Sequence, residues 1–387
     1  QTVCDTPTTF VTARIKHPCP INQASCPWLP STHSLEKERQ LLQSATITPS
    51  AMELLRASNA PLQLTQHDVR RASTCLSQHG YCIVRNLLDP KKCLQWGSAV
   101  LHDLQQACDT LQERDGIHIK SAGVHTTNYR ELAMREDLRM DLRDGPHLRA
   151  MRRQEAQQQA EEDAVQNHSL SATVLSSYSQ GTFDSCLQFH PTILEIVQHT
   201  MNPRHEDLYP GNVARYNFNG SGPDGSPQPI KIGPMGGIVS LPGSADQALH
   251  ADTPHLFEHI DCLPAHYINA FCLGIENVDM ELDQNGCATG STPVGGTAFI
   301  HDSHKLSFTA STELSLVGNE SMLQHLVRPS LQLGDAVLFD CRILHFGLAN
   351  NSQDIERPLF YTNMTHSWFV DPKNWNDQQS IFNLDQE

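Results

Sequence analysis

Four residues in the second half of the chain could together bind a metal ion and a dicarboxylate. His250 and Asp252 are separated by one residue, and His345 and Arg357 follow much later. Two imidazoles and one carboxylate that leave coordination positions open form the facial ligand set of non-haem Fe(II) oxygenases. A guanidinium binds a carboxylate through two parallel hydrogen bonds, which lysine cannot do. The spacing therefore predicts an Fe(II) site with 2-oxoglutarate and O2 as co-substrates.

Each of these residues also has a simpler explanation. A His-x-Asp pair arises by chance in a chain with 21 histidines, and Asp252 could be a turn residue before Pro254. Arg357 alone could form an exposed ion pair with an acidic neighbour. Three nearby histidines are rival ligands, although none combines this carboxylate spacing with a downstream arginine: His255, His259 and His266. The order of the four residues along the chain favours the metal site.

Short strands are expected to bring these residues together. Residues i and i+2 of a strand point to the same face, so His250 and Asp252 could reach one ion. His345 follows an apolar run at residues 336–339 that could carry it to the same point. Arg357 precedes an alternating β pattern, which would project its guanidinium into a barrel.

The chain divides into regions of different composition. Residues 1–33 are rich in Pro, Thr and Cys and predict an extended N-terminal arm. Residues 34–211 are mostly helical, with Thr65 and Asp89 as N-caps and Gly80 as a helix end. Within that part, residues 130–166 are charged and rich in Gln, which predicts a polar insertion that is either a solvated helix or a lid.

Residues 212–387 predict a double-stranded β-helix, that is, a jelly-roll, cupin-like core. Short β-rich runs are separated there by Gly, Pro and Asn: residues 213–218, 237–241, 267–275, 297–300, 336–339 and 358–364. With the N-terminal helices on one side of the sheet, the fold class is α+β. We expect residues 34–387 to form a single domain.

Composition narrows the choice of partners. The chain has 387 residues and a formal charge of −16, which argues against nucleic acid because that partner rewards clustered Lys and Arg. No apolar run is long enough to span a membrane. The 12 cysteines include no Cys-x-x-Cys pair, so a zinc cluster is not predicted. We expect a small-molecule or lipid-like substrate, and the oligomeric state stays open.

The compartment is only weakly indicated. The chain begins at Gln1 rather than Met, so we expect that upstream residues were removed. Several Asn-x-Ser/Thr patterns would be glycosylation sites in a secreted chain, but patterns of this length also arise by chance. The cytoplasm is slightly favoured over the secretory pathway.

Four segments of the chain, in the same order, match one known family. They are residues 79–90 (HGYCIVRNLLDP), residues 247–252 (QALHAD), residues 295–305 (GGTAFIHDSHK), and Gly334-Asp335 leading to His345 and then Arg357. On these segments the chain resembles the phytanoyl-CoA dioxygenase family of Fe(II)/2-oxoglutarate-dependent oxygenases. The resemblance extends from about Thr65 to the C-terminus.

The resemblance implies roles for individual residues. It implies three iron ligands: His250, Asp252 and His345. Arg357 would bind 2-oxoglutarate, and Gln247 and Thr297 stand where family members place polar contacts to the co-substrate. The implied reaction is hydroxylation of an unactivated C–H bond with succinate and CO2 as co-products, while desaturation or ring rearrangement stay open.

The chain also departs from the family pattern. His301-Asp302 replaces the family's Pro-Gly, and residues 283–293 look like an insertion near the pocket mouth. The substrate is therefore not inferred from the resemblance. Two other classes of function stay open: a jelly-roll metalloprotein that does not use 2-oxoglutarate, such as a cupin-type dioxygenase or isomerase, and a non-catalytic binding protein on an oxygenase scaffold. Arg357 argues against the first class, and the complete ligand set argues against the second.

Overall fold

The computed structural model describes most of the chain between Ser34 and Phe382. The described residues are 34–49, 64–124, 128–154, 187–188, 190–202, 229–253, 255–257, 264–276, 294–311, 320–371 and 378–382. Three expectations therefore lie outside the described residues: the N-terminal arm at 1–33, the strand at 213–218 and the insertion at 283–293.

Most of the helical residues lie before residue 202, and most of the strand residues lie after residue 229. The helices are α1 (Leu35–Ser44), α2 (Gln66–His79), α3 (Pro90–Asp115), α4 (Pro191–Met201), α5 (Leu306–Ser311) and α6 (Glu320–Leu323). Helix α2 begins where the Thr65 side chain accepts a hydrogen bond from the Asp68 amide. It ends at Gly80, whose φ of 82° is left-handed. The Asp89 side chain caps α3 in the same way, so these predicted helix ends are confirmed. No helix among the described residues is long and apolar enough to cross a membrane.

The strands form a large sheet and a small sheet. They are β1 (Thr46–Ile47), β2 (Tyr81–Val84), β3 (Leu132–Glu136), β4 (Arg139–Arg143), β5 (Ile230–Ser240), β6 (Tyr267–Leu273), β7 (Thr297–Ile300), β8 (Leu326–Val327), β9 (Ala336–Asp340), β10 (His345–Gly347) and β11 (Arg357–His366). The large sheet has the order β1-β2-β9-β6-β11-β5-β4-β3, and the small sheet has the order β10-β7-β8. All pairs are antiparallel except β1 with β2. The predicted α+β fold with a jelly-roll core and flanking helices is confirmed.

Strand β11 is central in the large sheet and is buried on both faces. It pairs with β5 on one side and with β6 on the other. Leu359 and Tyr361 belong to an apolar cluster that also contains Phe299 of the small sheet, so they face the space between the two sheets. Phe360 faces the opposite way and packs edge-on against Trp96 of α3, with ring centroids 5.9 Å apart. This alternation directs every second residue of this part of β11 towards the space between the two sheets.

The first part of the predicted polar insertion at 130–166 is instead part of the large sheet. Strands β3 and β4 pair with each other, and β4 pairs with β5. Met140 and Leu142 of β4 are buried in the apolar core, while Arg139 and Asp141 are each only 1% exposed. The charges suggested a solvated segment, but these two residues and Glu131, also 1% exposed, are inside the protein. Residues 155–166 lie outside the described ranges.

Candidate metal centre and co-substrate pocket

The structure brings His250, Asp252 and His345 together. His345 is the first residue of β10, and His250 forms an isolated antiparallel bridge with it through hydrogen bonds of 3.0 and 2.8 Å. Nε2 of His345 is 3.8 Å from Oδ2 of Asp252. One potential ligand atom from each of the three residues lies within 4.8 Å of the others. The predicted convergence is therefore present in the fold.

Residues 250–252 do not form the regular strand that was expected. Only His250 makes the bridge, and Asp252 lies in a bend. The chain leaves the small sheet at this point, since the Thr253 amide donates to the Cys341 carbonyl at 3.1 Å. The two side chains approach the same point because of the turn rather than because of strand alternation.

Backbone carbonyls fix the tautomers of both histidines. Nδ1 of His250 is 2.7 Å from the Ala248 carbonyl oxygen, and Nδ1 of His345 is 3.0 Å from the Ile343 carbonyl oxygen. A carbonyl can only accept, so each Nδ1 carries the proton and each Nε2 keeps its lone pair. This is the arrangement by which metal-binding histidines are usually oriented.

Asn269 holds the carboxylate of the ligand group. Its Nδ2 donates to Oδ2 of Asp252 at 2.6 Å, from a position on β6 in the large sheet. This contact was not predicted, because no motif near Asn269 in the sequence indicates that its side chain would bind Asp252. Two imidazoles that present Nε2 and an oriented carboxylate fit Fe(II) in donor chemistry. The group is consistent with Fe(II), 2-oxoglutarate and O2.

Arg357 is a buried cation at the start of β11. Its side chain is 2% exposed, and its Nη2 donates to the Ser240 hydroxyl at 3.2 Å. Nε of Arg357 is buried without a hydrogen-bond partner. Among the described residues no carboxylate pairs with Arg357, and burial together with the charge of Arg139 lowers its pKa to about 9. The guanidinium is therefore still charged at neutral pH and has an unused donor.

Arg139 places a second buried guanidinium beside the first. Its Nη1 donates to the same Ser240 hydroxyl at 2.6 Å, and its Nη2 donates to the carbonyls of Ala245 and Leu348, each at 3.0 Å. Burial lowers the pKa of Arg139 to about 10. Two buried cations that share one neutral hydroxyl are costly unless an anion joins them. Arg139 was missed because it falls in the stretch that we assigned to a polar insertion.

An apolar pocket adjoins Arg357 and the ligand group. Its lining includes Phe271, Thr297, Phe299, Val337, Arg357 and Leu359. Phe299 pairs with His345 across the small sheet, and the two rings have centroids 6.0 Å apart. The pocket and the ligand group therefore share a wall. Thr297 lines the pocket, and its contact with a co-substrate stays a prediction.

Gln247 stands in a different position from Thr297. Its side-chain Oε1 accepts from the Gly347 backbone N–H at 2.9 Å, and its backbone N–H donates to the Gly347 carbonyl at 2.8 Å. The side-chain carbonyl of Gln247 is thus held by β10. It lies close to Arg139, because a Cβ added at Gly347 would overlap both side chains. Contact between Gln247 and a co-substrate stays a prediction.

A further polar network, not predicted from the sequence, lies on the inner face of the large sheet. The Tyr361 hydroxyl donates to Oδ1 of Asp141 at 2.7 Å and accepts from Nε of Arg143 at 2.7 Å. Arg135 Nε donates to Oδ2 of Asp141 at 2.9 Å. Burial and Asp141 raise the pKa of Tyr361, so its hydroxyl keeps its proton. Tyr361 is four residues after Arg357, and the two-residue period of a strand could have identified it.

The rival histidines do not join the ligand group. His266 is 1% exposed, and burial lowers its pKa to about 4. Neither His266 nor His255 belongs to a group of potential ligands among the described residues, and His259 lies outside those residues.

Comparison with known proteins gives a family match and several distant structural matches. A family model described as phytanoyl-CoA dioxygenase (PhyH) matches residues 76–358, well over half of the chain. AviO1 from Streptomyces viridochromogenes Tue57 is 10% identical, with 79% of this chain and 99% of that chain covered and a TM-score of 0.38. HygX from Streptomyces hygroscopicus, with nickel and 2-oxoglutarate bound, is 11% identical, with 80% and 89% covered and a TM-score of 0.38.

A third solved structure is the non-heme alpha ketoglutarate dependent carbocyclase SnoK from nogalamycin biosynthesis. It is 15% identical to this chain, with 78% of this chain and 85% of that chain covered and a TM-score of 0.39. No curated protein matches the chain.

Proposed function

The chain belongs to the phytanoyl-CoA dioxygenase family, and from that premise we propose that it is an Fe(II)- and 2-oxoglutarate-dependent hydroxylase. It would hydroxylate an unactivated C–H bond of a small-molecule or lipid-like substrate and release succinate and CO2. One observation supports this proposal most directly. A complete His-Asp-His group lies beside a pocket that contains a buried arginine without a carboxylate partner among the described residues.

The residues of the metal centre would act mainly by orientation. Iron bound there would supply the activation of O2 that is coupled to decarboxylation of 2-oxoglutarate. His250 and His345 offer Nε2 because the carbonyls of Ala248 and Ile343 hold the protons on Nδ1. Asn269 fixes one oxygen of Asp252 and so reduces the number of orientations that the carboxylate can adopt.

The paired guanidiniums would bind the far carboxylate of 2-oxoglutarate. Arg357 and Arg139 converge on the neutral hydroxyl of Ser240. Glu136 and Asp246 offset part of the charge of Arg139, whereas no carboxylate among the described residues pairs with Arg357. Because both cations are already desolvated, an incoming carboxylate gains electrostatic energy in a medium of low dielectric constant. The unpartnered Nε of Arg357 supplies a further donor for a two-point contact.

The apolar lining would keep water away from the reaction. Phe271, Phe299, Val337 and Leu359 surround the pocket between the two sheets. Exclusion of water strengthens the electrostatic contacts there and protects a reactive centre from side reactions. The same lining is compatible with a substrate that presents a C–H bond rather than a charged group to the metal.

An anaerobic titration tests the proposal. The protein is titrated with Fe(II) and then with 2-oxoglutarate, and the visible charge-transfer band of the chelate is followed. We expect a band that saturates in the native chain and needs at least roughly tenfold more 2-oxoglutarate in Arg357→Met, which loses a charge-assisted contact. Arg114→Met is the control, because Arg114 pairs with Asp115 at the end of α3, away from the pocket.

The possible results separate the alternatives. Iron binding without a band would refute 2-oxoglutarate as the co-substrate and favour another kind of jelly-roll metalloprotein. Absence of iron binding would refute the oxygenase proposal. A saturating band that Arg357→Met does not weaken would refute the assigned role of Arg357. Hydroxylation itself requires a product that contains one more oxygen atom than the substrate, formed together with succinate.

A further inference from the structure

A second group of potential metal ligands lies where helix α2 meets the small sheet. His79 is the last residue of α2, and His301 and Asp302 directly follow β7. Nδ1 of His79 is 3.3 Å and Nε2 of His301 is 3.7 Å from the same Oδ1 of Asp302. The ligand atoms of these three residues lie within 4.8 Å of one another, and the group shares no residue with the iron-type centre.

The separations suit a four-coordinate ion. Zinc binds histidine nitrogen and carboxylate oxygen at about 2.0–2.2 Å in a tetrahedral arrangement, which places neighbouring ligand atoms about 3.4 Å apart. The two measured separations lie close to that value. An ion could therefore enter between the three side chains with small rotations, and a fourth position would be left for water.

Tyr81 orients His301 for such a role. Its hydroxyl lies 3.5 Å from the Leu41 carbonyl oxygen, to which it can donate, and 3.2 Å from Nδ1 of His301. A hydroxyl that donates to a carbonyl can accept from the ring N–H of His301. The lone pair of His301 is then on Nε2, which faces Asp302. A polar contact behind a histidine ligand is what a metal site requires.

Asp302 adopts a backbone conformation that favours glycine. Its φ is +68°, in the left-handed region that glycine adopts without steric cost and that Asp adopts only occasionally. His301-Asp302 also stands where the resembling family has Pro-Gly. The chain thus carries a carboxylate at a position where glycine would be less strained, and that carboxylate faces two imidazoles. Both residues that depart from the family pattern belong to the ligand group.

The present partners of Asp302 allow an ion to enter. Lys305 Nζ is 3.3 Å from Oδ1 of Asp302, so a bound cation would displace this ammonium. The Lys305 side chain is 38% exposed and can move into solvent. The side chains of His79 and Asp302 are 22% and 30% exposed, so the group can be reached from solvent.

We propose that His79, His301 and Asp302 bind a second transition-metal ion, of the Zn(II) type, independently of the iron centre. The bound ion would fasten the C-terminal end of α2 to the turn after β7. The backbone already joins these segments, since the Asp302 amide donates to the His79 carbonyl at 3.2 Å. The proposal does not depend on the oxygenase activity.

Zinc binding to the full chain tests the proposal. The double variant His250→Ala/His345→Ala first removes the iron-type centre, and Zn(II) is measured by equilibrium dialysis and elemental analysis. We expect this double variant to retain one equivalent of Zn(II). Adding Asp302→Gly should weaken the remaining affinity by more than roughly tenfold. Cobalt bound to the double variant should show the intense visible absorption of a four-coordinate ion.

Two further measurements test whether weaker Zn(II) binding by Asp302→Gly results from general destabilisation of the protein. Asp302→Gly relieves the left-handed conformation but loses the partly exposed contacts with His79 and Lys305, so its unfolding temperature without metal should change only slightly. Lys305→Gln should strengthen Zn(II) binding by roughly two- to fivefold, because it removes a competing surface ion pair. The proposal is overturned if the double variant binds no Zn(II), or if Asp302→Gly leaves its Zn(II) affinity unchanged.

Discussion

Replacing Asn269 by alanine is expected to weaken iron binding although Asn269 is not a proposed ligand. Its amide donates to Oδ2 of Asp252 at 2.6 Å, and the residue is only 9% exposed. A hydrogen bond to a charged acceptor contributes about 1.5–3 kcal/mol. Since about 1.4 kcal/mol corresponds to a factor of ten, the Kd for Fe(II) should rise by roughly 10- to 150-fold. Loss of such supporting contacts in known metal sites has effects of about 10- to 100-fold.

The assay for Asn269→Ala is anaerobic competition for Fe(II) between the protein and a coloured chelator of known affinity. Gln188→Ala is the matched control, because Gln188 is 6% exposed and loses a buried hydrogen bond of 2.6 Å to the Gly233 carbonyl. Gly233 lies near the opposite end of β5 from Ser240. The control should lose stability in a thermal unfolding scan and keep the native affinity for Fe(II).

Two results would refute this reasoning. If Asn269→Ala binds Fe(II) as tightly as the native chain while Asp252→Ala does not, the amide contact does not orient the carboxylate. If Gln188→Ala weakens iron binding as much as Asn269→Ala, the effect reflects general loosening of the sheet.

Two other predictions concern charge and packing. The affinity for 2-oxoglutarate should fall as the pH rises through about 9, because Arg357, whose pKa is lowered to about 9, then loses its charge. Arg139→Met removes a cation that lowers this pKa, so the fall in affinity should move to higher pH. Calorimetric titration measures both effects. Gly97→Ala should destabilise the protein by about 1–3 kcal/mol, because the new Cβ would overlap the Gly274 carbonyl. Denaturant unfolding measures that loss, and unchanged stability would contradict the close contact between α3 and Gly274, which directly follows β6.

Local patterns were sufficient for several elements of the fold. The N-cap at Thr65 and the stop at Gly80 depend on contacts within a few residues, and both are present. The predicted run at 297–300 coincides with β7, and the run at 336–339 lies within β9. These predictions succeed because strand alternation and helix capping are encoded in neighbouring residues.

Residues that act through distant contacts could not be found in this way. Asn269 reaches Asp252, and Arg139 meets Arg357 only through the shared hydroxyl of Ser240. Strand β4 was hidden because Arg139 and Asp141 are buried and hydrogen-bonded, whereas a sequence pattern treats charge as a sign of exposure. The four site residues were recognised because ligand chemistry and chain order restrict them more strongly than packing does.

The two-sided burial of β11 has a consequence for how this protein can vary during evolution. Arg357 and Leu359 line the pocket and Tyr361 lies in the same apolar cluster as Leu359, whereas Phe360 faces α3. Insertion or deletion of one residue within this strand would exchange the two faces, so that the guanidinium would meet the helix and an aromatic ring would enter the pocket. The register shift between Thr362 and Met364 lies beyond these residues and leaves their alternation intact. Changes in chain length are therefore expected in the connections between strands, and homologues should preserve the spacing from Arg357 to Tyr361 even where they change every other residue of the strand.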